Sequence, residues 1–303
     1  MKPAEDEIRR AAQLIRSGKL VAFPTETVYG LGANALDRNA VQRIYEAKGR
    51  PASSPLIVHV AEIAMAEALA AEWTAVAQQL AARFWPGPLT LVVPKHSSVP
   101  DIVTAGLSAV GLRVPAHPIA LRLMQLAKVP VAAPSANRFM QLSPTTAEHV
   151  RAGLGDRVDM ILDGGPAQVG IESTVVSLTG ERPVVLRPGI IELEELEAAT
   201  QTAWRDAESN IVTEAAAESP GLHPRHYAPR TPFYVLSIGS APPEGRGCIL
   251  ALPENPSAYA ARLYAALHEA DKQGWDWIAV EEPPQGAAWT GIRDRLRRAT
   301  TKL

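Results

Sequence analysis

Hydroxyl groups and glycines are concentrated at the end of the first predicted strand, Lys19–Pro24. The segment FPTETVYGLG, residues 23–32, contains two threonines, one glutamate and two glycines. It therefore provides hydroxyls and free backbone N–H groups at a strand end, which is where ligands bind in open α/β sheets. A polar turn without a function would have the same composition, so this segment by itself leaves both interpretations open.

A basic segment follows the second predicted helix, Asn39–Lys48. Lys48 and Arg50 flank a glycine, and Ser54 lies four residues further on. Two cations followed by hydroxyls could clamp an anion such as a phosphate. A basic helix end that complements the helix dipole would look the same, and for Lys48 alone this is the simpler interpretation.

Two polar side chains interrupt apolar strands. His59 lies within the run Leu56–Val60, where a lone histidine is usually a hydrogen-bonded core residue. Arg113 lies within Val110–Val114, and a buried guanidinium needs an anionic partner. A carboxylate of the protein and a carboxylate of a ligand would each serve.

Small polar groups and arginines also follow later strands, at Pro134–Asn137, Gly170–Thr174 and Arg187–Gly189. Hydroxyls and arginines at several strand ends suit a ligand that carries a phosphate and a carboxylate. The chain lacks a P-loop motif and a dinucleotide-binding glycine motif, so ATP, if it is used, is held in another way.

The elements that must position these residues are short. Apolar runs bounded by prolines predict strands, and they mix with helices without strict alternation. This favours an α/β fold with an open, twisted, mixed sheet over a regular barrel. The pattern Thr145-x-x-Glu148 predicts a capping box at the start of a helix.

A composition change near residue 191 predicts a second domain. Residues 191–230 contain three basic and eight acidic side chains, and Ser219–Pro232 is too rich in proline to be helical. Beyond it, alternating strands and helices, including the helix Pro256–Gln273, predict a small α/β unit. We expect a catalytic domain over 1–200, a linker over 201–231 and a C-terminal domain over 232–303.

Composition excludes several classes of protein. With 303 residues, 47% hydrophobic side chains and a net charge of −2, the chain is long enough for two domains and too neutral to bind nucleic acid by bulk charge. Its one cysteine, Cys248, permits no internal disulfide and fits a cytoplasmic location. No apolar run is long enough to span a membrane.

Taken together, the ordered segments resemble the threonylcarbamoyl-AMP synthase family, which is built on a YrdC-type domain. The resemblance covers nearly the whole chain, and each matching block is weak alone. The blocks are Pro24–Gly32, Lys48–His59, Val103–Pro118, Pro134–Asn137 with Ser143–Thr145, Ile171–Val175, Leu186–Gly189, Ser219–Pro229 and Asp294–Arg298.

The resemblance implies an open twisted sheet around a large concave cavity, and an enzyme that is a nucleotidyltransferase. Such an enzyme condenses L-threonine, bicarbonate or CO2 and ATP into L-threonylcarbamoyladenylate and releases pyrophosphate. A downstream transferase complex then passes the threonylcarbamoyl group to adenosine 37 of tRNA. The resemblance further implies Mg2+ bound with ATP, no protein metal site, a weak contact with tRNA and no membrane partner.

The family's site residues can be transferred to matching positions of this sequence. The implied L-threonine contacts are Thr27, His59, Arg113, the backbone of Ala133, and Ser173. The implied ATP contacts are Lys48, Arg50, Ser54, Ala109, Ser135, Asn137, Ser143, Arg187 and Tyr227. Lys48, Arg50 and Arg113 are the expected catalytic residues.

Three positions depart from the commonest family pattern. Ser54 replaces a frequent Asn or His, Ala109 replaces a Thr, and Met140 replaces a Gly. We also expect residues 219–230 to form a lid, with Tyr227 near the nucleotide and Arg225 or His226 near its phosphates. Two alternatives stay open from the sequence: a non-catalytic RNA-binding regulator, and a carbamoyl-adenylate-forming maturation factor.

Overall fold

Two β-sheets organise the chain. The computed structural model describes residues 3–204, 227–237 and 239–301, and in these ranges a nine-stranded mixed sheet is followed by a three-stranded parallel sheet. The predicted lid residues Arg225 and His226 lie outside the described residues. The architecture confirms the predicted α/β class with an open, twisted, mixed sheet and a small C-terminal α/β unit.

The larger sheet contains short strands that pair mostly with sequence-distant neighbours. In chain order its strands are β1 (Val21–Phe23), β2 (Gly30–Asn34), β3 (Ile57–His59), β4 (Leu89–Pro94), β5 (Ala109–Arg113), β6 (Val131–Ala132), β7 (Met160–Ile161), β8 (Thr174–Ser177) and β9 (Val184–Arg187). Their order in space is β7-β1-β2-β6-β3-β5-β4-β8-β9. Parallel and antiparallel pairs alternate irregularly across it.

Helices of this part of the chain are α1 (Glu5–Arg16), α2 (Arg38–Lys48), α3 (Ile63–Glu67), α4 (Ala75–Phe84), α5 (Asp101–Thr104), α6 (Pro118–Ala127), α7 (Ala147–Leu154) and α8 (Leu193–Thr200). The smaller sheet has the order β10-β12-β11, formed by β10 (Phe233–Leu236), β11 (Gly247–Ile249) and β12 (Trp277–Glu281). It is accompanied by α9 (Pro256–Ala270) and α10 (Thr290–Ala299). No helix in the described ranges combines the length and apolar composition that crossing a bilayer requires.

The bounds of α2 follow from two local signals. The Asp37 side chain accepts hydrogen bonds from the backbone N–H groups of Asn39 and Ala40, and so caps the first turn. Gly49 ends the helix with a φ of 62°, in the left-handed region that glycine adopts readily. This geometry places Lys48 in the last turn and Arg50 directly beyond it.

The structure corrects several local predictions. The N-cap of α7 is Thr146, whose hydroxyl accepts from the backbone N–H of His149, so the helix begins one residue later than the capping box at Thr145 would require. The segment 23–32, for which a polar turn is one of the two interpretations left open above, also contains the start of β2, a strand that pairs with β1 on one side and β6 on the other. The helix predicted over Pro256–Gln273 ends at Ala270.

The two parts of the chain share hydrophobic contacts. The core of the C-terminal unit is formed by residues of α9, α10, β10 and β12, and it also includes Val28, Ile171 and Tyr227. Two of these residues, Val28 and Tyr227, line the cleft described below. The C-terminal unit is therefore packed against the segments that form the cleft.

Candidate active site

Strand register places His59 beside Arg113. The parallel strands β3 and β5 pair these two residues directly, and each is the last residue of its strand. Ala133 joins them, because its backbone N–H donates to the carbonyl of Ile57 at 2.9 Å. The carboxyl edge of parallel strands is where ligands bind in open α/β sheets, so this edge is the first candidate for a site.

An open cleft lies at this edge, and its volume, including the open part at its mouth, is about 500 Å³. Its lining residues come from eight separate segments of the chain. Nine of the site residues predicted from the sequence line this cleft: Thr27, Arg50, His59, Arg113, Ala133, Ser135, Ser173, Arg187 and Tyr227. Thr25, Val28, Gly30, Ile57, Pro134 and Glu172 complete the lining.

A carboxylate of the protein pairs with Arg113. Nη2 of Arg113 lies 2.7 Å from Oε1 of Glu26, and the two side chains are only 4% and 7% exposed. Nη2 also donates to Oγ1 of Thr27 at 3.1 Å, and Nε donates to the carbonyl of Gly87 at 3.2 Å. Among the described residues none accepts a hydrogen bond from Nη1, so this nitrogen is the part of the guanidinium left for a ligand.

His59 is held neutral. Burial, and then the positive charge of Arg113, lower its pKa to about 3. Its Nδ1 is buried, and no described residue pairs with it. The imidazole is uncharged at neutral pH and can form a hydrogen bond to a ligand without adding charge to the cleft.

Arg50 contacts no carboxylate in the described part of the chain. Its guanidinium donates to Oγ of Ser54 and to the carbonyl of Pro55, and it lies 5.9 Å from the ring of Phe139. Burial lowers its pKa to about 10, which still leaves it charged at neutral pH. Nε is buried and pairs with no described residue, an arrangement that suits an anionic ligand.

Arg187 and Ser173 connect the two sides of the cleft. Nε and Nη2 of Arg187 donate to the carbonyl of Ser173 at 3.1 and 3.0 Å, and Nη2 also donates to its hydroxyl. That hydroxyl lies 2.8 Å from Oγ1 of Thr90 in β4. The orientation of Ser173 therefore depends on where the end of β9, which carries Arg187, is held.

Lys48 and Asn137 lie behind the cleft and outside its lining. Nζ of Lys48 donates to the carbonyls of Ser135 and Asn137, which fixes the loop after β6. Burial, and then the charge of Arg50, lower the pKa of Lys48 well below its usual range. Met140 in the same loop has a φ of 68°, a conformation that favours glycine.

Three further nominated residues also lie outside the lining. Ser54 contacts Arg50, and Ser143 donates to Oε1 of Glu172 at 2.6 Å. Ala109 begins β5 and packs in a small apolar cluster. The structure thus brings nine of the fourteen nominated residues together and places the other five behind them or beside them.

Two glutamates of the site are not nominated by the sequence. Glu26 pairs with Arg113, and Glu172 lines the cleft and contacts the C-terminal unit. Glu26 could have been predicted from the sequence, because a buried Arg113 needs an anionic partner and Glu26 lies in the polar segment 23–32. The sequence contains no comparable local signal for the partner of Glu172, because that partner, Arg295, is 123 residues away.

The cleft is not built to hold a metal ion by itself. Within the described ranges, no group of three or more His, Cys, Asp or Glu side chains could bind one. The one acid in the lining, Glu172, already receives hydrogen bonds from Arg295, Tyr264 and Ser143. A dedicated protein site for Mg2+ therefore does not fit these residues.

Comparison with known proteins adds the family context. Residues 13–189 match the family model described as Telomere recombination, and residues 191–301 match the model described as Threonylcarbamoyl-AMP synthase, C-terminal domain. The threonylcarbamoyl-AMP synthase of Pyrococcus abyssi is 43% identical and aligns over 98% of this chain and 94% of its own length. The synthase of Bacillus subtilis is 41% identical over 97% of this chain and 93% of its own length.

Solved structures agree with the sequence comparison. The crystal structure of Pyrococcus abyssi Sua5 complexed with L-threonine superposes with a TM-score of 0.90 at 41% identity, covering 99% of this chain and 96% of that chain. A full-length HypF structure, at 21% identity and a TM-score of 0.52, covers 60% of this chain but only 28% of its own, and it shares the fold alone.

Proposed function

The chain belongs to the threonylcarbamoyl-AMP synthase family, and on that premise we propose that its cleft binds L-threonine beside Arg113 and the phosphates of ATP beside Arg50. The enzyme condenses L-threonine, bicarbonate or CO2 and ATP into L-threonylcarbamoyladenylate and releases pyrophosphate. The observation that carries the residue assignment is that nine site residues predicted from the sequence, from eight segments of the chain, line one cleft.

The threonine side is assigned to the edge formed by β3 and β5. Nη1 of Arg113 is directed to the substrate carboxylate, while Glu26 compensates the remaining charge of the guanidinium. Neutral His59 and the hydroxyls of Thr27 and Ser173 provide hydrogen bonds for the substrate's own hydroxyl and amine.

The nucleotide side is assigned to Arg50, Ser135, Arg187 and Tyr227. Arg50 supports this assignment most directly, because it is buried and charged and contacts no carboxylate in the described ranges. Lys48 and Asn137 are proposed to act from behind by fixing the loop that carries Ser135. Contacts with Ser54, Ala109 and Ser143 belong to the same proposal.

The chemistry needs positioned charges more than a nucleophilic side chain. The neutral amine of threonine adds to CO2 and loses a proton, which gives a carbamate. A carbamate oxygen then bonds to the α-phosphorus of ATP, and the bond from this phosphorus to the bridging oxygen breaks as pyrophosphate leaves. Arg50 and Arg187 offset the negative charge that builds up when the two anions meet.

The remaining assignments extend this proposal. A metal ion is expected with the ATP substrate, and we propose Mg2+ held mainly by the phosphates. We also propose delivery of the product to a transferase complex that modifies adenosine 37 of tRNA, a weak contact with tRNA and a cytoplasmic location. The division into 1–200, 201–231 and 232–303 is proposed on the basis of the two sheets.

Pyrophosphate release tests the proposed function. ATP and Mg2+ are incubated with the full chain, with and without L-threonine and bicarbonate, and D-threonine serves as the matched control. Pyrophosphate, and no ADP, is expected only when L-threonine and bicarbonate are both present. Release that does not depend on L-threonine would refute the assignment.

A further inference from the structure

A single arginine of the C-terminal unit reaches three segments of the cleft. Arg295 of α10 is fully buried, and its Nε lies 2.6 Å from Oε2 of Glu172. Its Nη1 donates to the carbonyl of Pro188 at 2.9 Å, and its Nη2 donates to the carbonyl of Glu172 at 3.3 Å. The guanidinium also lies 5.6 Å from the ring centre of Tyr227. One side chain therefore links all three segments.

These contacts occur next to the residues that face the substrates. Glu172 precedes Ser173, and Pro188 follows Arg187, the two residues whose mutual hydrogen bonds connect the sides of the cleft. The Glu172 carboxylate also accepts from Ser143 at 2.6 Å and from Tyr264 of α9 at 3.2 Å. Glu172 is thus one of the points at which the catalytic part and the C-terminal unit meet.

Backbone packing at this junction is close and independent of the charges. A Cβ placed on Gly291 of α10 would overlap the carbonyl of Gly189, and a Cβ placed on Gly170 would overlap the carbonyl of Ala260 in α9. Gly170 lies in the loop that carries Glu172 and Ser173, and Gly189 lies two residues beyond Arg187 at the end of β9. The two helices are therefore seated directly on these loops.

The charge of Arg295 has a second consequence. Glu172 lines a cleft that is otherwise basic, with Arg50 and Arg187 on the proposed nucleotide side. A Glu172 carboxylate without Arg295 would be attracted to Arg187 and would repel the phosphates of ATP. Threonine is a zwitterion and lies at the other edge of the cleft, so it would be less affected.

We propose that Arg295 is a positioning residue for the nucleotide side of the site, acting through Glu172 and Pro188, and that the C-terminal unit is thereby an integral part of the active site. This inference rests on the proposed function of the cleft. It assigns a role to the C-terminal unit that the reaction alone does not require, because every proposed substrate contact except Tyr227 belongs to the catalytic part.

The test compares Arg295→Met with Arg297→Met in the full chain. Both arginines lie on α10 and pair with Asp294, Arg295 at 2.9 Å and Arg297 at 2.7 Å, but the Arg297 side chain is 73% exposed. Steady-state kinetics would give kcat and the KM for each substrate, and calorimetry would give the affinity for a non-hydrolysable ATP analogue. Because a displacement of about 1 Å can reduce a rate 100-fold, we expect kcat/KM for ATP to fall about 10- to 100-fold in Arg295→Met.

Several outcomes separate positioning from folding. The KM for threonine should change by less than the KM for ATP, Arg297→Met should behave like the unmodified chain, and Arg295→Lys should recover part of the loss. If Arg295→Met does not fold, the same measurements on Gly291→Ala take its place. This variant keeps every charge and displaces α10 from Gly189, because the added Cβ would overlap the Gly189 carbonyl. Normal ATP affinity in folded Arg295→Met or in folded Gly291→Ala would overturn the inference. The release of pyrophosphate by the unmodified chain, and its dependence on L-threonine, test the proposed function separately.

Discussion

The Arg113–Glu26 pair allows binding and folding to be tested separately. Both side chains are almost fully buried and their charged atoms are 2.7 Å apart, so removing one partner leaves an uncompensated buried charge. We expect Arg113→Met and Glu26→Gln each to lower the free energy of unfolding by about 3–5 kcal/mol. The double variant replaces both charges, so most of this stability should return.

Threonine affinity should follow a different pattern. Arg113→Met and the double variant both lack the guanidinium, and we expect each to lose about 2–5 kcal/mol of threonine binding, or at least 30-fold in Kd. Glu26→Gln keeps the guanidinium and should keep most of the affinity. ATP affinity should change little in any of the three, because Arg113 lies on the threonine side.

Urea unfolding and calorimetric titration with L-threonine provide the two measurements. Titrations would be run on protein that is folded by near-UV circular dichroism, with ATP titration as the internal control. The assignment of Arg113 would be refuted by a stable double variant that binds threonine normally. Equal losses of threonine and ATP affinity would also contradict it, since they would indicate general damage to the cleft.

Three further predictions concern individual residues. Arg50→Met should raise the KM for ATP about 10- to 100-fold, as expected for a lost charged hydrogen bond, and leave the KM for threonine nearly unchanged. A KM for ATP that steady-state kinetics finds equal in the variant and the unmodified chain would contradict this. The pKa of His59 is about 3 in the folded chain against its ordinary value of 6.5, so the unfolded chain binds more protons between these values and stability falls as the pH drops. The free energy of unfolding, measured in urea, should therefore decrease between pH 7 and pH 5 by about 2 kcal/mol less in His59→Gln than in the unmodified chain. Equal decreases in the two proteins would argue against a buried neutral imidazole. Met140 has a left-handed backbone conformation that glycine adopts without strain, so Met140→Gly should have a Tm in thermal unfolding that is unchanged or higher. At a position with an ordinary backbone conformation, a substitution by glycine would lower the Tm.

Local sequence signals determined the elements whose ends depend on nearby residues. Asp37 and Gly49 delimit α2 because a cap and a left-handed residue act within one turn of the helix. Apolar runs such as 56–60 and 110–114 indicated strands for a similarly local reason, since the apolar residues lie in the run itself and the prolines that bound it lie next to it. The ordered motifs also indicated the family, which the comparisons confirmed.

Strand β2 shows where local signals were insufficient. Its sequence GLGAN has two glycines and weak strand propensity, and the strand forms because β1 and β6 provide hydrogen-bonding partners on its two sides. The capping residue of α7 is a similar case at a smaller scale, because two adjacent threonines could each cap the helix and only the structure shows that Thr146 does.

Tertiary structure alone decided how the charges of the site are paired. The sequence indicated that Arg113 needs an anion, but its partner Glu26 is 87 residues away, and Arg295 lies 123 residues from Glu172. Two ions interact according to their distance in space and the water between them, and neither quantity can be read from positions along a chain. The side-by-side placement of His59 and Arg113 depends in the same way on the register of β3 against β5. The residue types capable of the chemistry are thus present in the sequence, whereas their partners, their burial and their charge balance are properties of the folded chain.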